Sequence, residues 1–306
     1  MTSLQVPLAY EGRGTSGPPL LLIHGFPLDR SMWSGQLEGL APHARVVAVD
    51  LSGFGTSPAR PDDTPFTVEE MAEQVLALAD ALGFDRFVAG GLSMGGYVVF
   101  ALLRLAPERI AGVLLCDTRA EPDAPETRKQ RLADAEKVLA QGTGFLVERS
   151  VRGLLSADTQ VRRRDLAVAV EVMVRRASAA GVAQTLRGLA ERPDARPELR
   201  DIAVPTLVVV GADDSVTPPA SCQAMAALIP GAELAVIAGA GHVAPFEAVE
   251  PTNVLVRKLL RRVDAAAITA APPAPLSPAR LAARAAEADY ELDEPTIANP
   301  PGPRKR

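Results

Sequence analysis

Ser93 stands among glycines in Gly90-Gly91-Leu92-Ser93-Met94-Gly95-Gly96, after the apolar run Phe87 to Ala89 and before a stretch of helical composition, Tyr97 to Ala106. A serine hydroxyl is a weak nucleophile, so it must stand clear of the backbone where a base can reach it. A sharp strand-to-helix turn achieves this, but it crowds the chain on both sides. Glycines are then required wherever a Cβ would collide, which is the place of Gly91 and Gly95. The helix that follows aims its free N–H groups at any developing oxyanion. A glycine-rich turn with an incidental serine has the same five residues. What separates the two readings is whether the chain also supplies a base and an acid.

The base must be a histidine, and the 306 residues hold three: His24, His43 and His242. His242 lies in the loop Gly239-Ala240-Gly241-His242-Val243-Ala244-Pro245-Phe246-Glu247, after the last apolar strand pattern. From such a loop an imidazole can reach over a sheet edge toward Ser93. His24 follows an earlier apolar run and precedes Gly25, where a ring ties down its own loop by hydrogen bonds more readily than it acts as a base. His43 sits in a polar connection. His242 is therefore the expected base. An imidazole in that role needs a buried carboxylate to set its tautomer and stabilise its cation. Asp213 and Asp214 follow the run Leu207 to Val210, 29 and 28 residues ahead of His242, and Asp117 follows the run Val113 to Leu115. A lone aspartate at a strand end more often caps a turn. Spacing leaves the three open.

The elements that must position these groups alternate along the chain. Leu20 to Ile23, Val46 to Val49, Phe87 to Ala89, Val113 to Leu115, Leu207 to Val210 and Leu234 to Ile237 are short apolar runs, read as strands covered on both faces. Between them fall helical stretches. Thr67 to Leu82 opens with the capping box Thr67-x-x-Glu70 and closes at Gly83, while Tyr97 to Ala106, Ala220 to Leu228 and Pro251 to Arg262 supply the others. Repeated strand and helix predict an α/β fold with a mostly parallel sheet flanked by helices. From Thr118 to Ile202 the rhythm breaks into helical patterns alone: Arg128 to Ala140, Phe145 to Leu154, Val161 to Arg176 and Ala179 to Ala190. An insertion there is expected to be a helical cap, residues 118–202, over the strand ends where ligands bind in open sheets. The core is then 1–117 with 203–263.

The last 43 residues, 264–306, are rich in alanine and carry eight prolines, a composition that predicts a disordered tail. A net charge of −5 argues against nucleic acid or an anionic membrane as a partner. Cys116 and Cys222 are far apart in apolar or helical settings and read as buried thiols, not a disulfide or metal pair. No basic leader precedes an apolar stretch, and no apolar run approaches the ~20 residues that span a bilayer. A cytoplasmic protein is the expectation. Oligomeric state has no signature here.

With these pieces in order, residues 4 to 262 resemble the α/β-hydrolase family, whose catalytic groups follow one another as Ser, Asp or Glu, and His. Four further stretches carry the likeness. His24-Gly25-Phe26-Pro27 is similar to the family's oxyanion loop, which implies that the backbone N–H of Phe26 acts with that of Met94. Asp50-Leu51-Ser52-Gly53-Phe54-Gly55-Thr56-Ser57 resembles a structural turn of the family. Gly211-x-x-Asp214 with Pro218 resembles its acid loop, which favours Asp214 over Asp213. Gly241-His242 with Glu247 and Pro251 resembles its histidine loop.

Within the family, the elbow and the stretch Phe26 to Trp33 look most like small carboxylesterases and enol-lactonases of the 3-oxoadipate type. The likeness implies a serine hydrolase of esters or lactones that needs no cofactor or metal, with Ser93 as nucleophile, His242 as base and Asp214 as orienting acid. A serine at the elbow argues against dehalogenases and epoxide hydrolases, which use aspartate there. Phe26, Trp33 and Met94 are expected to line the substrate pocket, although Phe26 and Trp33 fit ordinary core aromatics equally well. The rivals are a cofactor-free haloperoxidase or perhydrolase, a C–C bond hydrolase, and a ligand-binding sensor that kept the pocket.

Overall fold

Unbroken apolar runs, with no alternation of polar residues, suit strands that are covered on both faces, and they form the centre of a seven-stranded sheet. A computed structural model describes residues 8–269; residues 1–7 and 270–306, which include nearly all of the expected tail, lie outside the described residues. The strands are β1 (Tyr10–Arg13), β2 (Pro19–Ile23), β3 (Arg45–Val49), β4 (Phe87–Leu92), β5 (Ile110–Cys116), β6 (Thr206–Gly211) and β7 (Glu233–Ile237). Their order across the sheet is β1-β3-β2-β4-β5-β6-β7, with β1 antiparallel to β3 and every other pair parallel.

Register carries the consequence for chemistry. Ile23 lies opposite Gly91, Leu92 opposite Cys116, Cys116 opposite Val209 and Gly211 opposite Ile237. The carboxyl ends of β2, β4, β5, β6 and β7 therefore share one edge. The loops that bear His24, Ser93, Asp117, Asp214 and His242 all leave from it.

Two expectations about strands need correction. Strand β7 pairs only with β6, so it is an edge, and Glu233, Leu234 and Val236 are exposed on it where a fully covered strand was expected. Strand β1 was not anticipated, because Tyr10-Glu11-Gly12-Arg13 carries no apolar run and stays mostly exposed.

Helices α1 (Ser34–Leu40), α2 (Val68–Ala81) and α3 (Met94–Leu105) precede β5. Helix α2 opens on the expected capping box: Thr67 Oγ1 accepts from the Glu70 N–H at 3.2 Å, and Glu70 Oε2 accepts from the Thr67 N–H at 2.9 Å. Between β5 and β6 lie α4 (Pro125–Gln141), α5 (Gly144–Leu154), α6 (Ala157–Arg162), α7 (Arg164–Arg176) and α8 (Ala179–Glu191), and no strand. The stretch read as one helix from Val161 to Arg176 is broken at Arg163, whose φ of −121° and ψ of 63° leave the helical region. Ser156 starts α6 earlier than expected, its hydroxyl capping the Thr159 N–H at 3.2 Å. Helices α9 (Pro219–Leu228), α10 (Ala244–Glu247) and α11 (Val249–Thr269) complete the chain, and α11 runs past the expected end at Arg262.

Residues 8–269 belong to one compact unit, so the helical insertion shares it with the sheet. Cys116 and Cys222 are both free and buried. Burial, with the Asp117 charge nearby, pushes the Cys222 thiol up to about 12 and the Cys116 thiol well above its usual range, so neither is a ready thiolate. Among the described residues no helix is long and apolar enough to cross a membrane.

Candidate active site

Ser93 is the hinge between β4 and α3. Its φ of 50° and ψ of −109° lie in a region that a non-glycine residue occupies only under constraint. The constraint is supplied by glycines. A Cβ on Gly91 would run into the backbone of Gly95, and a Cβ on Gly95 would run into the carbonyl of Ile23. The Ser93 N–H donates to Cys116 O at 2.9 Å and the Thr118 hydroxyl donates to Ser93 O at 2.7 Å, so the end of β5 and the residues just after it fix the turn from the side.

His242 is buried, and its Nε2 lies 2.9 Å from Ser93 Oγ. On the other side of the ring, Nδ1 lies 2.8 Å from Asp214 Oδ2. This orders the tautomer: Nδ1 carries the proton toward the carboxylate, leaving Nε2 free to accept from the serine. Asp214 is tied in place by the N–H groups of Val216 at 2.8 Å and Thr217 at 2.9 Å, both donating to Oδ1. The Thr217 hydroxyl donates to Oδ2 at 2.5 Å. Burial pushes the Asp214 carboxyl upward, but the hydrogen bond and charge of His242, with the Thr217 bonds, hold it below the usual carboxylate range. Thr217 was not singled out in the sequence; its place three residues after Asp214 is the only signal there.

Asp213 is exposed and directs only its backbone N–H, to Ala240 O at 2.9 Å, into the histidine loop. Asp117 is buried but faces neither histidine ring nor serine. Its Oδ1 accepts from the Gly211 N–H at 2.8 Å and its Oδ2 from the Ala244 N–H at 2.9 Å, bridging the loops that carry Asp214 and His242. Burial and the Asp214 charge raise its carboxyl well above the ordinary value, against the pull of those two donors. Glu247 bridges in the same manner, accepting from the Gly241 N–H at 2.7 Å and from the Ser156 N–H at 3.0 Å. It joins the histidine loop to the start of α6.

His24 is fully buried, with Nδ1 3.0 Å from Gly25 O and Nε2 accepting from the Leu51 N–H at 3.1 Å. It staples the loop after β2 and faces Phe54 edge-on, as a structural ring would. Burial lowers its pKa despite the nearby Asp50 charge. Asp50 in turn accepts from the N–H groups of Arg30 at 2.7 Å and Thr56 at 2.8 Å, which makes its turn structural. His43 is exposed.

The Phe26 and Met94 N–H groups, which the family resemblance implies as oxyanion donors, have no hydrogen-bond acceptor among the described residues. A cavity of about 280 Å³ opens beside Phe26, with Val216 of the acid loop and residues of α4, α5 and α8 as its other walls. Phe26 thus lies where a pocket residue was expected. Trp33 and Met94 are not on this cavity wall: Trp33 is fully buried in the main core and Met94 packs there as the first residue of α3. For Trp33 the core role prevails, because the 3₁₀ turn Arg30–Trp33 points it inward under α1. Among the described residues no group of three histidine, cysteine or acidic side chains is placed to hold a metal ion.

The alpha/beta hydrolase fold family profile matches residues 18–249, and the chain belongs to that family. Among curated relatives, a pimeloyl-[acyl-carrier protein] methyl ester esterase of Edwardsiella ictaluri is 30% identical over 239 residues, 76% of this chain and 89% of that protein. The 3-oxoadipate enol-lactonase 2 of Acinetobacter baylyi is 27% identical over 86% of this chain and 97% of its own. A dihydrolipoyllysine-residue acetyltransferase component of the acetoin cleaving system of Pseudomonas putida is 32% identical over 83% of this chain, which spans 66% of that protein's length. Among solved structures, a thermophilic esterase from Thermogutta terrifontis superposes with a TM-score of 0.81 at 43% identity, covering 84% of this chain and 93% of that one. A bromoperoxidase from Bacillus anthracis, at 21% identity and a TM-score of 0.73 over 83% of this chain and 95% of that one, shares the fold.

Proposed function

We propose that the protein hydrolyses carboxylic esters or lactones through an acyl-enzyme on Ser93. The observation that carries this reading is the unbroken relay from Ser93 Oγ to His242 Nε2 at 2.9 Å and from His242 Nδ1 to Asp214 Oδ2 at 2.8 Å. The esterase and enol-lactonase relatives support the substrate class.

In the first half-reaction Ser93 Oγ attacks the carbonyl carbon while its proton passes to His242 Nε2. The carbonyl oxygen becomes an oxyanion held by the Phe26 and Met94 N–H groups, donors in place before charge develops. Asp214 stabilises the imidazolium and stays ionised itself. The C–O bond to the alcohol then breaks, and the departing oxygen takes the proton from Nε2. In the second half a water gives its proton to His242 as its oxygen attacks the acyl carbon. Ser93 leaves, recovering the proton, and the free acid departs. In a lactone the alcohol stays attached to the acyl group, and the product is one hydroxy acid. The helices from α4 to α8 act as a cap that bounds the substrate cavity, leaving chemistry to the sheet edge.

Ser93→Ala is expected to lower turnover of short-chain p-nitrophenyl esters by a factor of about 10⁴ or more, as loss of a nucleophile does. A fluorophosphonate probe should label the parent at Ser93 and leave the variant unlabelled. Labelling at another residue, or full activity in the variant, would overturn the assignment.

A further inference from the structure

The cavity beside Phe26 is apolar along Leu146, Leu154, Leu186 and Val216, yet Arg131 and Arg149 stand in the same wall. The Arg131 side chain is only 18% exposed, so its charge is costly to desolvate and needs an answering group, whereas that of Arg149 is half exposed to solvent. Arg149 is answered within the protein: its Nη1 donates to Asp134 Oδ2 at 2.7 Å, and Asp134 also accepts from Gln130 at 3.0 Å. Arg131 is answered in part. Its Nε and one Nη face Asp123, a fully buried carboxylate.

Asp123 does not serve Arg131 alone. Arg119 donates to its Oδ1 at 2.8 Å and Arg192 at 3.1 Å, so three guanidinium groups converge on one carboxylate. Burial would push the Asp123 carboxyl up, and the bonds and charges of Arg131 and Arg192 hold it below the ordinary range, as a permanent anion requires. The cluster still holds more positive than negative charge, and Arg192 spreads some of its own over the Tyr97 ring, 4.0 Å from the guanidinium. Arg131 is the member of that cluster on the cavity wall. Its Nη1 has no acceptor among the described residues. A guanidinium held along one edge by a fixed carboxylate presents its other donors as a rigid fork, the geometry that matches a second carboxylate.

We propose that Arg131 forms a carboxylate subsite, and that the substrate is an ester or lactone with an anionic group remote from the reacting carbonyl. This rests on the esterase reading above and names its substrate class. Arg149 and Asp134, as a neutral pair, add polarity to the same wall without competing for the anion. The leucines that line the same cavity would cover the carbon chain that separates the two ends.

The test compares monomethyl esters of linear dicarboxylic acids with the neutral dimethyl esters of the same length. A second series compares acetyl esters of ω-hydroxy acids with acetyl esters of the matching alcohols. In at least one series the charged substrate should show a kcat/KM about tenfold or more above its neutral partner, carried mainly by KM. Raising the salt concentration should shrink that ratio. Arg131→Gln should reduce it by about the same factor. Should Arg131→Gln fail to fold for want of its bond to Asp123, Arg131→Lys keeps a charge but loses the fork, and should still lower the ratio severalfold. A ratio near one in both series, or a ratio unchanged by the variants, overturns the subsite. Parent enzyme that takes the fluorophosphonate and cleaves neutral esters with a ratio near one overturns the subsite alone. Parent enzyme that cleaves no ester and takes no probe overturns the esterase reading and this inference with it.

Discussion

Two buried aspartates at neighbouring strand ends, Asp117 and Asp214, differ in what faces them. Asp214 meets an imidazole nitrogen and a threonine hydroxyl, and Asp117 meets two backbone N–H groups. The first contact can stabilise a cation that forms during turnover, and the second can only hold loops. Asp214→Asn is therefore expected to lower kcat by a factor of about 10⁴, since an amide favours the wrong imidazole tautomer. Asp117→Asn keeps one acceptor and turns an amide group toward the other N–H. Its main effect should be a lower melting temperature, with a kcat loss far smaller than that of Asp214→Asn. Steady-state kinetics beside thermal melts separate the two, and a larger kcat loss for Asp117→Asn would move the acid to β5.

At the scale of elements, the join of β4 to α3 holds a strained residue at the point where chemistry is proposed. Ser93 keeps its φ of 50° because Gly91 and Gly95 let the two elements approach more closely than side chains allow. The strain itself is worth roughly 1–3 kcal/mol and must be offset by packing of the surrounding elements. Gly91→Ala sets a methyl group against the Gly95 backbone, which has no flexible end that could yield. Urea denaturation should show a loss of about 3 kcal/mol or more, in the range of severe core changes, and ester turnover should fall with it. A variant as stable and active as the parent would show that the turn tolerates a Cβ. The helical insertion reaches the same edge by a different route. Glu247 ties the N–H of Ser156, which caps α6, to the Gly241 N–H beside His242, so the helical insertion and the histidine loop are held by one carboxylate.

At the scale of the whole molecule, His24 is one identifiable source of stability lost in mild acid. Both its ring nitrogens are engaged in the neutral form, Nε2 as an acceptor from Leu51. Its folded-state pKa lies below the ordinary 6.5 because burial opposes the charge. The unfolded chain then binds a proton at a pH where the native chain does not, so stability falls as the pH drops below about 6.5 toward the folded-state value. Melting temperatures measured from about pH 7.5 down to 5 should decline more steeply for the parent than for His24→Gln. Parallel declines would place the acid sensitivity elsewhere.

What could be read from the chain alone shares one physical property: it is encoded within a few residues. The elbow at Ser93 needs glycines two positions either side, the capping box needs Thr67 and Glu70 three apart, and the central strands need unbroken apolar runs. Steric exclusion and local hydrogen bonds act at that range, so the fold class, the tight turn at Ser93 and the opening of α2 were legible. Which strand would be an edge was not, because β7 looks as apolar as its neighbours until pairing leaves one side bare. The break at Arg163 and the inward turn of Trp33 depended likewise on what packs against them. Spacing could not choose among Asp117, Asp213 and Asp214, since all three follow buried strands. Family likeness favoured Asp214, and tertiary structure places that carboxylate alone against the His242 ring. Polar contacts between distant segments were the least accessible of all. Asp123 and Arg192 are 69 residues apart, and Glu247 and Ser156 are 91 apart, in segments whose local sequence carries no trace of the partner. Charge acts through space and not along the chain, so only the folded arrangement sets three arginines around one aspartate and puts Arg131 on the cavity wall.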